Sequence, residues 1–249
     1  MRHFLMRSLL ALGLGGLLGL VALLALLPAP RAALCPGCFG LVRATDTLWV
    51  EAAMPAPDRL RLIAQIAAAK AQVARALGPT RGRLRLLACQ TAACDRRLGG
   101  RGAAAVTYSF GPVAVVRLSP RGLSTTILTH ELTHVALHAR MGPVGQLADR
   151  LPAWADEGLA VIVSDDPRYL APGSGLRRCR KTPRPVLPET ARDWLHLAAQ
   201  ERDIYAEAAC AMLGWMAEND GWTGVWAVIE GRRTLHPPAN PLAPARAAP

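Results

Sequence analysis

Hydrophobic residues fall along this chain in three distinct patterns, one after another. The first is an uncharged apolar run from Ser8 to Leu27. Twenty residues at about 1.5 Å each would span about 30 Å, the thickness of a bilayer core. The next pattern begins with an Ala-rich helical period over Asp58 to Leu77, which predicts an amphipathic helix capped by Asp58 and stopped by Gly78-Pro79. Short runs that read as strands follow at Arg83 to Cys89, Ala104 to Ser109 and Val113 to Leu118, with Gly111-Pro112 marking a hairpin turn between the last two. The third pattern is helical again. Leu123, Ile127, Leu128, Leu132 and Val135 recur at helical spacing. A second apolar helix, Ala153 to Val163, comes after a loop containing Gly142, Pro143 and Gly145. Two more helices are predicted over Ile204 to Glu218 and Trp222 to Glu230.

Strands followed by helices read as an α+β fold: a small mixed sheet, an active-site helix and a mainly helical half, behind an N-terminal transmembrane helix. The expected organisation is a cytoplasmic stretch 1–7, an anchor or long signal 8–27, a linker 28–45, one domain 46–231 and a disordered tail 232–249. Asp165 to Asp193 is rich in Pro, Gly and Arg, and reads either as a functional lid or as a solvated basic insertion.

Arg2 and Arg7 precede the apolar run, which places the N-terminus in the cytoplasm and the rest outside. An uncleaved anchor in the inner membrane is favoured over a cleaved signal and a secreted product, because the run is long and Pro28 to Ala33 makes a poor cleavage site. All six cysteines lie beyond the run, as an oxidising compartment allows. The expected pairs are Cys35–Cys38, Cys89–Cys94 and Cys179–Cys210. The net charge of +11 raises nucleic acid as a partner. No zinc-finger, RRM or helix-turn-helix pattern accompanies it, so the basicity is read as attraction to anionic lipid or envelope polymers.

The candidate chemistry lies in the helix after the strands. His130-Glu131-Leu132-Thr133-His134 is an H-E-x-x-H motif. Residues four apart share a helix face, so His130 and His134 can aim at one ion. Zinc needs one more protein ligand and an open position for water. Glu131, on the flank of that stripe, is placed as a general base. His138 continues the stripe but is eight residues from His130, about 12 Å along the axis, too far to share the ion. Asp156 and Glu157 both offer a carboxylate from the next helix. Neighbours there point about 100° apart, so one of them faces the metal.

His130-Glu131-x-x-His134 with a later Trp154-x-x-Glu157-Gly158-x-Ala160 resembles the gluzincin zinc metallopeptidases, in particular their peptidase MA-like group. The resemblance covers roughly residues 83 to 231. It implies a zincin-like fold, a bound Zn2+ and Glu157 as the third ligand, with Gly158 letting helices approach closely. The acidic residue that thermolysin-like members carry four positions after the ligand Glu is Val161 here, so the group orienting His130 must come from elsewhere. By the same likeness the strand Val113 to Leu118 would be an edge that holds an extended peptide. Tyr205, in a Tyr-x-x-Ala-Ala context like the third helix of the group, is the candidate oxyanion donor, with His196 and Tyr108 as weaker alternatives. The expectation is a membrane-anchored zinc-dependent peptidase with a peptide or protein substrate. The competing expectations are a non-catalytic envelope binding or assembly module that keeps the zinc site, and a hydrolase of a non-peptide amide.

Overall fold

The computed structural model describes residues 27–236, together with Gly13 and Gly15. Most of the expected anchor and of the expected disordered tail lies outside the described residues. Among the described residues, no helix is long and apolar enough to cross a membrane.

The architecture is mixed α and β, with a five-stranded sheet. The stretch expected as a linker begins with a helix, α1 (Pro28–Leu34), and continues into strand β1 (Leu41–Arg43). Then follow β2 (Leu48–Glu51), α2 (Ala56–Leu77), β3 (Arg83–Ala88), α3 (Ala92–Arg97), β4 (Ala105–Phe110) and β5 (Val113–Leu118). The helical half consists of α4 (Thr125–Leu147), α5 (Ala153–Ser164), α6 (Ala191–Gln200), α7 (Ile204–Glu218) and α8 (Trp222–Ile229).

The sheet order is β1-β2-β3-β5-β4. Strand β1 pairs antiparallel with β2, Val42 opposite Val50, and β2 pairs parallel with β3, Trp49 opposite Leu87. This corrects the expectation for Val113 to Leu118. Strand β5 lies between β3 and β4, so its backbone is paired on both sides, and β4 is the edge. The hairpin places β4 and β5 side by side, and β3 then takes the other flank of β5. Strands β1 and β2 are too short to show a sequence period.

The chain divides into two compact units. The first comprises Met1–Arg59, Arg85–Tyr108 and Val115–Arg121. Its core gathers Ala32, Leu41, Leu87, Leu98 and the bonded pair Cys89–Cys94, with Trp49 and Val115 packed against them. The second expected disulfide in this unit, Cys35–Cys38, is also formed. Arg117 is buried and donates to Asp95, which neutralises a charge that would be costly alone.

The second unit comprises Leu60–Leu84, Ser109–Ala114 and Gly122–Pro249. Ser124 caps α4 by accepting from the Ile127 N–H at 3.3 Å. The expected interruption is confined to Gly142 (φ 70°, ψ 173°), where α4 breaks sharply before resuming with Pro143, and Gly145 lies in the resumed helix. Proline suits the start of the second segment, where an N–H would find no helical partner. Helix α5 packs on α4 and on α7. Gly158 makes the second of these approaches: a Cβ there would lie 2.5 Å from the Ala208 carbonyl oxygen of α7.

The Pro- and Arg-rich segment is pinned along its length. Leu170 bridges to Cys179, and Arg178 pairs with Asp165. Arg184 clasps Glu207 of α7 at 2.7 and 2.8 Å and reaches Glu201 at 2.8 Å. That clasp holds the Glu207 carboxyl below its ordinary range. Cys179 and Cys210, expected as a disulfide, both carry free thiols. The two side chains lie within interacting reach, so the chain brings them together without joining them.

Candidate metal centre

Helix α4 supplies His130 and His134, and α5 supplies Glu157. One ligand atom from each lies within 4.8 Å of the other two. Glu157 Oε2 is 3.1 Å from His130 Nε2 and 3.8 Å from His134 Nε2. A tetrahedral zinc with bonds of about 2.0–2.1 Å sets its donors about 3.3–3.4 Å apart. Two imidazole nitrogens and a carboxylate oxygen at these separations fit such an ion with small side-chain adjustments.

Both histidines are buried, at 9% and 7% exposure, so their ring positions are set by packing and not by solvent. Their rings meet edge-on with centroids 4.9 Å apart. Burial has a further cost here, because a cluster of carboxylates in a poorly hydrated site calls for positive charge. Burial by itself disfavours the charged His134, but Asp156, with Glu157 and Glu131, outweighs it and pushes its pKa up to about 10. A cation entering the site would displace the proton that this environment holds.

Asp156 and Glu157 face different sides of His134. Glu157 addresses Nε2, while Asp156 Oδ2 accepts from Nδ1 at 2.9 Å. His138 Nε2 reaches the same oxygen at 3.0 Å. Burial would raise the Asp156 pKa, but His134 and His138 drive it far below the ordinary carboxylate value. His138 is half-buried and forms no part of the first donor trio. A second set of three ligand atoms, from His134, His138 and Asp156, lies within the same limit of 4.8 Å.

Glu131 is buried between the two histidines in sequence, at 7% exposure. Its charge acts on both His134 and Tyr205. Tyr205 opens α7 with its ring centroid 6.2 Å from His130. Burial, reinforced by the Glu157 charge, pushes the phenol well above its ordinary pKa, so it keeps its proton through the neutral and alkaline range. The weaker alternatives are His196 and Tyr108. His196 is exposed and bonded to Gln200 at 3.1 Å, and Tyr108 belongs to the first unit.

Sequence reasoning missed the aromatic wall behind Tyr205. Tyr169 stacks on it at 5.1 Å between centroids, and the buried Trp194 meets it edge-on at 5.1 Å. Two of the chain's three tyrosines therefore meet at one site. Trp194 lies in the first turn of α6, a helix that the proline-rich stretch before it concealed.

No protein-family model, curated protein or solved structure matches the chain.

Proposed function

We propose that the protein is a zinc-dependent peptidase of gluzincin type, held at the outer face of a membrane by the apolar run Ser8 to Leu27. The observation that carries the reading is the convergence of His130, His134 and Glu157, with a second carboxylate, Glu131, on the same helix as both histidines. A structural zinc site is closed by four protein ligands, whereas a catalytic one leaves a position for water. Three protein donors and a base suit the second kind.

A zinc ion held there would supply Lewis acidity, lowering the pKa of water and polarising a carbonyl. The protein's own groups divide the remaining work. His130, His134 and Glu157 would hold the ion. The Glu131 carboxylate takes a proton from the attacking water and delivers it to the departing amide nitrogen. The Tyr205 O–H donates to the oxyanion that develops on the carbonyl oxygen.

The test uses the full chain in detergent micelles and a quenched-fluorescence peptide library. The expected result is about one zinc per chain and hydrolysis that zinc chelation abolishes. Glu131→Gln should keep the zinc and lose hydrolysis. Full hydrolysis by Glu131→Gln would remove the base from the scheme. Zinc binding without hydrolysis of any library member would favour the non-catalytic module, or an amide outside the peptide class.

A further inference from the structure

We infer that Ser109, His138 and Asp156 form a positioning relay that fixes the ring of His134 and ties the metal centre to the turn of the β4–β5 hairpin. The inference rests on the zinc reading of His130, His134 and Glu157. It adds residues that the donor trio does not contain.

The relay follows from a chain of short contacts. An ionised carboxylate has only acceptors. Asp156 Oδ2 takes both imidazoles, at 2.9 Å from His134 Nδ1 and 3.0 Å from His138 Nε2. Its other oxygen, Oδ1, is buried and makes no hydrogen bond among the described residues. Each imidazole nitrogen facing Oδ2 must therefore carry a hydrogen. His134 then holds its hydrogen on Nδ1, and Nε2, the nitrogen on the Glu157 side, is the one left to bind metal. The other His138 nitrogen, Nδ1, faces away from Asp156 and lies 2.5 Å from Ser109 Oγ, close enough for a hydrogen bond. The chain of contacts runs from the Ser109 hydroxyl to His138, and from His138 to Asp156.

Ser109 is held in place independently. Gln146 of α4 donates to the Ser109 carbonyl at 3.4 Å and accepts from the Gly111 N–H. The hairpin turn also presses on Pro143, since a Cβ on Gly111 would lie 2.6 Å from its Cδ. One end of the relay is thus fastened to the backbone of a turn and the other to a metal ligand. The eight-residue separation that bars His138 from the ion gives it this other task, one turn beyond His134, with ring centroids 5.9 Å apart.

The test compares zinc affinity, by competition with a chelator, in the full-length wild type, Ser109→Ala, His138→Ala, the double variant and His138→Gln. Groups that orient a metal ligand typically change affinity by about 10–100-fold. His138→Ala is expected to weaken zinc by about 10-fold, the low end of that range. Ser109→Ala should cost less, and the double variant no more than His138→Ala alone, because Ser109 acts only through His138. A glutamine amide can still donate to Asp156, so His138→Gln should recover part of the loss. A structural role alone would not move a second readout, the absorption spectrum of the cobalt-loaded protein, which should broaden in His138→Ala and sharpen again in His138→Gln.

Unchanged affinity in His138→Ala, or losses that add in the double variant, would overturn the relay while leaving the zinc centre intact. Two zinc ions per wild-type chain, one lost in His138→Ala, would replace the relay with a second cation at Asp156. A wild type that takes no zinc would remove both readings.

Discussion

Tyr205 shows how burial can tune a single residue toward a role. Its phenol is walled by Tyr169 and Trp194, and burial, reinforced by the Glu157 charge, raises its pKa. A raised phenol pKa preserves the neutral donor as pH climbs, so an alkaline fall in activity would have to come from another group. Tyr205→Phe is expected to lower kcat by about 10²–10³-fold, the cost of losing one oxyanion donor. Zinc content should be unchanged. Steady-state kinetics beside metal analysis checks both, and full activity in Tyr205→Phe would return the residue to a packing role. The sequence was most legible at this scale. His130, Glu131 and His134 are written as a five-letter string, whereas helical geometry left Asp156 and Glu157 as rivals and only the gluzincin resemblance chose between them. The role of Asp156 was not legible, because facing His134 from behind depends on how α4 and α5 pack. Ser109 carries no local signal at all.

Between residue and fold, Gly158 decides how α5 meets α7. Replacing a mid-helix glycine by alanine ordinarily gains up to about 1 kcal/mol of helix stability. Here the new carbon would lie 2.5 Å from the Ala208 carbonyl oxygen, a backbone atom that cannot swing aside. Overpacking of this kind costs about 1–3 kcal/mol, so the clash outweighs the gain. Gly158→Ala should lower Tm by a few degrees, at about 2–4 °C per kcal/mol. It should also weaken zinc, because Glu157 is the preceding residue. A calorimetric Tm at or above that of the wild type would show that α7 yields. Long periodic elements such as α2, α5 and α7 were legible from hydrophobic spacing, with ends off by at most two residues. Strands β1 and β2, helix α3 and helix α6 were not. The two strands are three and four residues long, and α3 is six residues long. Helix α6 buries only Trp194 and follows a stretch of prolines that hides its start.

Over the whole molecule, covalent stapling is uneven. Both disulfides, Cys35–Cys38 and Cys89–Cys94, lie in the first unit, and the second holds two free thiols. Closing such short loops is worth about 2 kcal/mol each by chain entropy. Unfolded without reductant, the full chain should present two thiols to a thiol reagent, and six after reduction. A count of zero before reduction would mean that Cys179 and Cys210 are joined after all. Reduction should expose the amides of the first unit to hydrogen exchange ahead of those around His130, His134 and Glu157. Cysteine count alone allowed fifteen pairings among six residues. The two short-range bonds could be inferred from separation along the chain, whereas adjacency without bonding could not.

The adjacent carboxylates of α5 carry a consequence for tracing kin. Since Asp156 and Glu157 serve opposite nitrogens of one imidazole, the whole arrangement is encoded by five positions: three histidines at intervals of four and a consecutive Asp-Glu at the start of a later helix. A one-residue slip before Asp156 would turn both carboxylates away together. That spacing can be looked for directly in distant chains whose remaining letters have diverged beyond alignment.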